Sequence, residues 1–179
     1  MANLTYEQIN SFASRRKAVF LNDSLRKSAA LLPRRVFLSY SHYDEDRVRG
    51  VEQFINDFGA GVYVDRGDDR LPKPPSPKTA EILRGEIARS PRFLVLLSPM
   101  SYQSGWIPWE LGLGDGKLGP TKVAILPISE ALDDEFWRTR EYLGLYPRVF
   151  KPKDESGLDS WRVLDPADNK SWTLRQWLS

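Results

Sequence analysis

Short apolar runs return along this chain at the spacing of one strand plus one helix. Val36-Phe37-Leu38, Val62-Tyr63-Val64, Phe93-Leu94-Val95-Leu96-Leu97 and Val123-Ala124-Ile125-Leu126 are followed by a weaker run, Arg148-Val149-Phe150. Their starts lie 26, 31, 30 and 25 residues apart. Each interval has room for a strand, a helix and two loops. The runs are continuous rather than alternating, the pattern of parallel strands buried on both faces.

The segments between the runs carry helical spacing. Val48, Val51, Ile55 and Phe58 share one face, and Gly59 and Gly61 can end that helix. Ala80, Leu83 and Ile87 form a second stripe, with Ser76 as N-cap and Pro77 as first helical residue. A third helix starts between Trp109 and Leu113, a fourth is expected over Asp133–Tyr142, and Trp172, Leu174, Trp177 and Leu178 point to a closing helix. Before the first run, residues 4–32 read as helical. Thr5 and Gln8 have capping-box spacing, Leu4 and Ile9 staple them, and Asn22-Asp23-Ser24 breaks the segment in two. The expectation is an α/β chain with a flavodoxin-like open parallel five-stranded sheet, order 2-1-3-4-5, and helices on both faces. An N-terminal helical extension over residues 1–33 precedes the α/β unit at 34–179.

In such a sheet, ligands bind beyond the carboxyl ends of the strands where the strand order reverses. That point lies between the first and third strands. The segments meeting there are Ser39–Asp46 and Ser98–Glu110.

Composition removes several chemistries. The chain has no cysteine and a single histidine, His42, so disulfides, thiolate nucleophiles and multi-histidine metal sites are excluded. Its 26 basic and 24 acidic residues leave a net charge of +2. A dedicated nucleic-acid binder would show a strong basic excess. No apolar stretch reaches the ~18 residues that a membrane span needs. The opening MANLTYEQIN lacks a basic segment followed by an apolar one, so the expected location is the cytoplasm, with neither a nucleic acid nor a membrane as partner.

At the switch point, SGWIPWELG (104–112) places Trp106, Trp109 and Glu110 close together. Glu110 reads either as an ordinary first-turn glutamate, favoured by the helix dipole, or as a carboxylate desolvated by aromatic walls that acts where positive charge develops. Trp109 reads as core. Trp106, four residues before Glu110, shares its face if the helical turn has begun there, and its indole can stack on a flat heteroaromatic ring. Tyr40, Ser41 and His42 project toward the same crevice, with His42 read as a loop hydrogen-bonder rather than a catalyst. Asp44, Glu45 and Asp46 most simply cap the next helix. GLGDGK (112–117) matches neither the dinucleotide nor the P-loop pattern and reads as a helix end. Residues 66–77, RGDDRLPKPPSP, make a loop of about a dozen residues where about 2–6 are usual, which fits a lid or binding loop better than a plain insertion.

Taken in order, these segments resemble a TIR domain. RVFLSYSHYDED resembles the family's first-strand motif, and GVYVDRGDDRLPKPPSPKTAEIL its second strand and BB loop. SPMSYQSGWIPWELGLGDGK resembles the third-strand segment with its serine–tryptophan–glutamate pattern, and VAILPI the fourth strand. The match runs over about residues 34–150 and looks most like stand-alone bacterial TIR proteins of Thoeris-type antiphage defence.

The resemblance implies an enzyme that cleaves the nicotinamide–ribose bond of NAD, an NAD nucleosidase or ADP-ribosyl cyclase with NAD as substrate and no cofactor or metal. It gives Glu110 the place of the catalytic glutamate, and Trp106 that of the aromatic residue before it. Tyr40, Ser41, Asp65 and Ser98 take substrate-lining places. Arg66, Asp69, Arg70, Leu71 and Pro72 fall in the BB loop, which shapes assembly contacts and the mouth of the site. The chain departs from some relatives in holding Ser41 and His42 where they place arginines. Self-association through TIR contacts, a downstream effector activated by the nucleotide product and a phage-protein trigger complete the implied setting. One carboxylate suffices for this chemistry, because nicotinamide leaves as a neutral ring, whereas sugar ethers need a second, protonated carboxyl. The alternatives are a non-catalytic TIR interaction module, and a nucleoside or nucleotide N-glycosidase on the same topology.

Overall fold

The computed structural model describes residues 1–20 and 35–179. The expected helix break at Asn22-Asp23-Ser24 and the helix after it lie outside the described residues. Eight strands form one sheet: β1 (Leu4–Thr5), β2 (Arg35–Ser39), β3 (Gly61–Tyr63), β4 (Arg92–Leu97), β5 (Val123–Ser129), β6 (Arg148–Phe150), β7 (Arg162–Leu164) and β8 (Ser171–Thr173). Among the described residues five helices accompany it: α1 (Tyr6–Phe20), α2 (Glu45–Asn56), α3 (Pro77–Arg89), α4 (Trp106–Leu118) and α5 (Leu174–Leu178).

Five of the strands are the five apolar runs, and they stand in the order β3-β2-β4-β5-β6, all parallel. This is the expected 2-1-3-4-5 arrangement, extended by strands the sequence reading did not foresee. β7 and β8 continue the sheet antiparallel, and β1 pairs parallel with the end of β5, Leu4 opposite Ile128. These additions are two or three residues long, too short to leave a periodic signal.

Continuous apolar strands feed two cores, because successive side chains leave opposite faces. Leu94 and Leu96 join Val48, Val51, Phe54 and Ile55 of α2 on one face. Phe93, Val95 and Leu97 join Leu83 and Ile87 of α3 and Ile107 and Leu111 of α4 on the other. Two glycines set helix distances. A Cβ at Gly114 would lie 2.8 Å from the Phe93 ring, so this glycine lets α4 settle onto β4. One at Gly50 would meet the Ile9 carbonyl oxygen at 2.3 Å, so α1 and α2 cross in backbone contact.

The capping predictions hold at two helices. Thr5 and Gln8 exchange hydrogen bonds of 2.9 and 3.2 Å, and Ser76 caps α3 ahead of Pro77. The fourth helix expected over Asp133–Tyr142 does not form. The chain there makes two 3-10 turns, Phe136–Thr139 and Glu141–Leu145. The Tyr102 hydroxyl and Thr139 Oγ1 both donate to the Phe136 carbonyl, the acceptor that a regular helix would use four residues on. The closing helix is also shorter than expected, since Trp172 belongs to β8.

Candidate active site

Glu110 is buried by its place in α4. Ile107, Glu110, Leu111 and Gly114 fall at helical spacing and form the stripe turned to the sheet. A carboxylate in that stripe is carried beneath the surface, and Glu110 is 6% exposed. The strand facing it supplies one partner. Phe37 points from β2 into the α4 side of the sheet, so Ser39, two residues on, points the same way. Ser39 Oγ donates to Glu110 Oε2 at 2.5 Å. No cation pairs with Glu110 among the described residues. Burial pushes its carboxyl from the usual 4.5 up to about 8; the Ser39 bond works against the rise and the Asp65 carboxylate adds to it. An empty site at neutral pH therefore holds Glu110 mostly as the protonated acid.

Asp65 follows β3 and lies across the switch point from α4. Its Oδ1 is buried and has no hydrogen-bond partner among the described residues. Tyr40 stands beside it, and burial together with the Asp65 carboxylate raises the phenol well above its ordinary range. Tyr40 is thus held as a neutral hydroxyl.

Trp106 opens α4. Ser104 Oγ accepts from the Trp106 and Ile107 amides at 3.3 Å each, which begins the helix before Trp109 and sets Trp106 one turn ahead of Glu110. The Trp106 indole is 40% exposed and stands edge-on to Trp109, with ring centroids 5.5 Å apart at 85°. Trp109 is half-buried on the core, under the Arg84 guanidinium. One indole is packing and the other keeps a free surface at the mouth of the site.

Two serines of the expected substrate-lining set are engaged inside the protein. Ser41 is buried, and its Oγ accepts from the Tyr43 amide at 3.4 Å, capping the turn His42–Asp44. Ser98 Oγ donates to Asp44 Oδ2 at 2.8 Å, and Ser101 Oγ donates to the same oxygen at 3.0 Å. Asp44 does occupy the N-cap position of α2, yet its side chain makes no cap bond there. Burial raises its pKa, while the two serines and Arg47 oppose the rise.

The loop 66–77 is fastened at its base. Arg66 Nε meets Glu45 Oε1 at 3.0 Å. Tyr63 donates to Asp68 at 2.7 Å, and Arg70 bridges Asp68 to the buried Glu86, the latter at 2.9 Å. Leu71 packs on the core beside α3, Pro72 is half-buried, and Asp69 is exposed. A groove of about 320 Å³ lies elsewhere, between α1 and residues 151–161, and includes none of these side chains. Among the described residues, no three His, Asp or Glu side chains converge as metal ligands would.

Sequence reasoning missed Ser39 as a direct partner of Glu110, although strand alternation after Phe37 carried the signal. It also missed the carboxylate knot at Asp44, which leaves no motif.

The geometry brings Ser39, Tyr40, Asp65, Trp106 and Glu110 to one end of the sheet. A relative from Bacillus cereus (strain MSX-D12), named a probable 3' cyclic ADP-D-ribose synthase ThsB', is 39% identical over 118 residues, 65% of this chain. The aligned part spans 60% of that relative, less than two thirds of its length. The family model described as TIR domain matches residues 36–159, from the first core strand past the last. With the switch-point site and strand order already in place, that match over more than half of its length means that the chain belongs to the TIR domain family.

Proposed function

We propose that this chain cleaves the nicotinamide–ribose bond of NAD and releases an ADP-ribose-derived signal, cyclic or conjugated, in antiphage defence. The observation that carries the proposal is Glu110, a buried carboxyl with no cation beside it among the described residues, at the switch point one turn after an exposed tryptophan. The name of the relative, a cyclic ADP-ribose synthase, supports the same chemistry and favours a cyclic product.

The steps follow from the groups present. The nicotinamide ring stacks on Trp106. Its positive charge favours the ionised form of Glu110, so substrate entry displaces the proton that burial holds there. The carboxylate then stabilises the oxocarbenium-like ribose as the C1′–N bond breaks, and nicotinamide departs neutral without an acid. Ser39 fixes one oxygen of Glu110 and leaves the other toward the ribose. Asp65, with its unpartnered oxygen, and Tyr40 hold ribose hydroxyls. Ser41 and Ser98 shape the walls through the turns they fasten. Attack on C1′ by water gives ADP-ribose, and attack by an atom of the same molecule gives a ring.

Residues 34–179 form the catalytic unit in this reading, with 1–33 as an N-terminal extension. The loop bearing Arg66, Asp69, Arg70, Leu71 and Pro72 borders the site and offers a surface for self-association. A phage protein triggers turnover, a downstream effector reads the product, and the setting is the cytoplasm. No described helix is long and apolar enough to cross a membrane.

Mass spectrometry after incubation with NAD, alone and with phage-infected lysate, tests the proposal. Free nicotinamide with ADP-ribose, a cyclic isomer or a conjugate is expected. Cleavage of nucleosides with NAD left intact would identify an N-glycosidase instead. No turnover in either condition, with cell signalling intact in Glu110→Ala, would identify an interaction module.

A further inference from the structure

We propose that Asp44 is a positioning residue for the Glu110 site, clamping together the two loops between which the substrate lies. The inference rests on the NAD-cleaving reading above. Asp44 closes the turn that follows Ser39 and Tyr40, and its amide bonds to the Ser41 carbonyl at 2.8 Å. Its side chain crosses to the loop after β4 and takes both hydroxyls there, Ser98 at 2.8 Å and Ser101 at 3.0 Å. That loop is itself tightly drawn. The Ser98 amide donates to Ser101 Oγ at 2.8 Å, and the Ser104 amide donates to the Ser101 carbonyl at 3.0 Å. Ser104 in turn starts α4, the helix that carries Trp106 and Glu110.

One fully buried carboxylate therefore joins the strand end that holds Glu110 to the helix start that aims it. A buried carboxylate turned away from the helix it could cap is a costly arrangement, and its partners are what make it tenable. The remaining oxygen, Oδ1, faces Arg47 Nη1 at 3.5 Å, and that guanidinium lies 4.2 Å from the Tyr6 ring centroid on α1. Asp44 itself touches no substrate position. It acts by setting the distance between the loop after β2 and the loop after β4.

The test uses the full chain, with NAD turnover resolved into cyclic product and ADP-ribose and folding checked by urea melts. Asp44→Ala is expected to lower kcat about 100-fold, the loss that follows a misplacement of about an ångström, with a smaller change in KM. It also shifts the product toward ADP-ribose, because a loosened site admits water. Asp44→Asn restores most of the rate and the product ratio, since its amide oxygen accepts both serine hydroxyls. A folded Asp44→Ala with wild-type kcat and product ratio overturns the inference. If Asp44→Ala does not fold, Ser101→Ala must show the same change in product ratio, and an unchanged ratio there is equally contrary. Failure of the NAD reading is recognised separately, because the wild type would then leave NAD intact. In that event amide exchange over residues 98–104 decides: faster in Asp44→Ala supports the clamp, and an unchanged rate refutes it.

Discussion

Glu86 and Glu110 stand on neighbouring helices, α3 and α4, and are 3% and 6% exposed. Burial pushes both carboxyls up, yet they end on opposite sides of the ordinary value. At Glu86, Arg89 at 2.7 Å and Arg70 at 2.9 Å more than reverse the effect of burial, and its pKa is lowered. At Glu110, among the described residues, only the Ser39 hydroxyl opposes burial, and the pKa rises to about 8. Burial alone does not mark a site. A buried carboxylate with its counter-charges in place fastens structure, here the loop 66–77 onto α3. One without them is unfinished until a cation arrives, and in the proposed reaction the nicotinamide end of NAD would bring one.

The largest expected effect removes the ionisation of Glu110. Its folded pKa lies above the unfolded value, so the folded chain keeps a proton that the unfolded chain gives up. Stability from this group is full below about 4.5 and is lost as pH rises toward about 8. Glu110→Gln lacks that loss. It is expected to match the wild type near pH 5 and exceed it by about 4 kcal/mol near pH 9, in urea melts at both values. Equal stabilities at alkaline pH would mean that Glu110 ionises freely.

Next comes the satisfied carboxylate. Glu86→Ala leaves Arg89 and Arg70 without their buried partner and is expected to cost about 2 kcal/mol, below the usual cost of breaking a buried pair because both guanidiniums are half exposed. Protease nicking within residues 66–77 should rise with it. A neutral outcome would place the hold on this loop in Asp68 and Leu71 instead.

Ser39→Ala sharpens the contrast from the other side, since it strips Glu110 of the group that lowers its pKa. A fall in kcat/KM of about tenfold is expected, the value of one charge-assisted hydrogen bond. The rise of kcat/KM with pH should move to higher pH as well. A variant with the wild-type profile would show that the 2.5 Å bond does not tune Glu110. The smallest effect belongs to Trp106→Leu. Its exposed indole contributes little to the core, so stability should change by less than about 0.5 kcal/mol. The KM for NAD should rise about fourfold through lost stacking. An unchanged KM would remove the indole from ring binding.

The parallel centre of the sheet was legible in the sequence because its five buried strands leave continuous apolar runs at βα spacing, and the flavodoxin-like topology then supplies their order. Glu110 and Trp106 were legible through their place after the third run. The added strands β1, β7 and β8 were not, because two or three residues carry no period. The helix expected at Asp133–Tyr142 gives way to 3-10 turns, in which the Arg140 amide bonds the Trp137 carbonyl and the Phe136 carbonyl takes Thr139 and the distant Tyr102 instead. Asp44 was read as a cap from its position, and only the packing of two loops shows its carboxylate turned to Ser98 and Ser101. Side-chain partners across the switch point are tertiary facts, and no local pattern records them.

In the proposed reaction the Glu110 carboxylate stabilises the ribose as the nicotinamide–ribose bond breaks. The direct measurement is single-turnover release of nicotinamide from NAD, in the presence of phage-infected lysate, by the wild type and by Glu110→Gln, with folding verified for both. The account predicts release by the wild type and a rate lower by about 100-fold or more in the variant, the loss of one preorganised electrostatic stabiliser. Equal rates in the two proteins would contradict it.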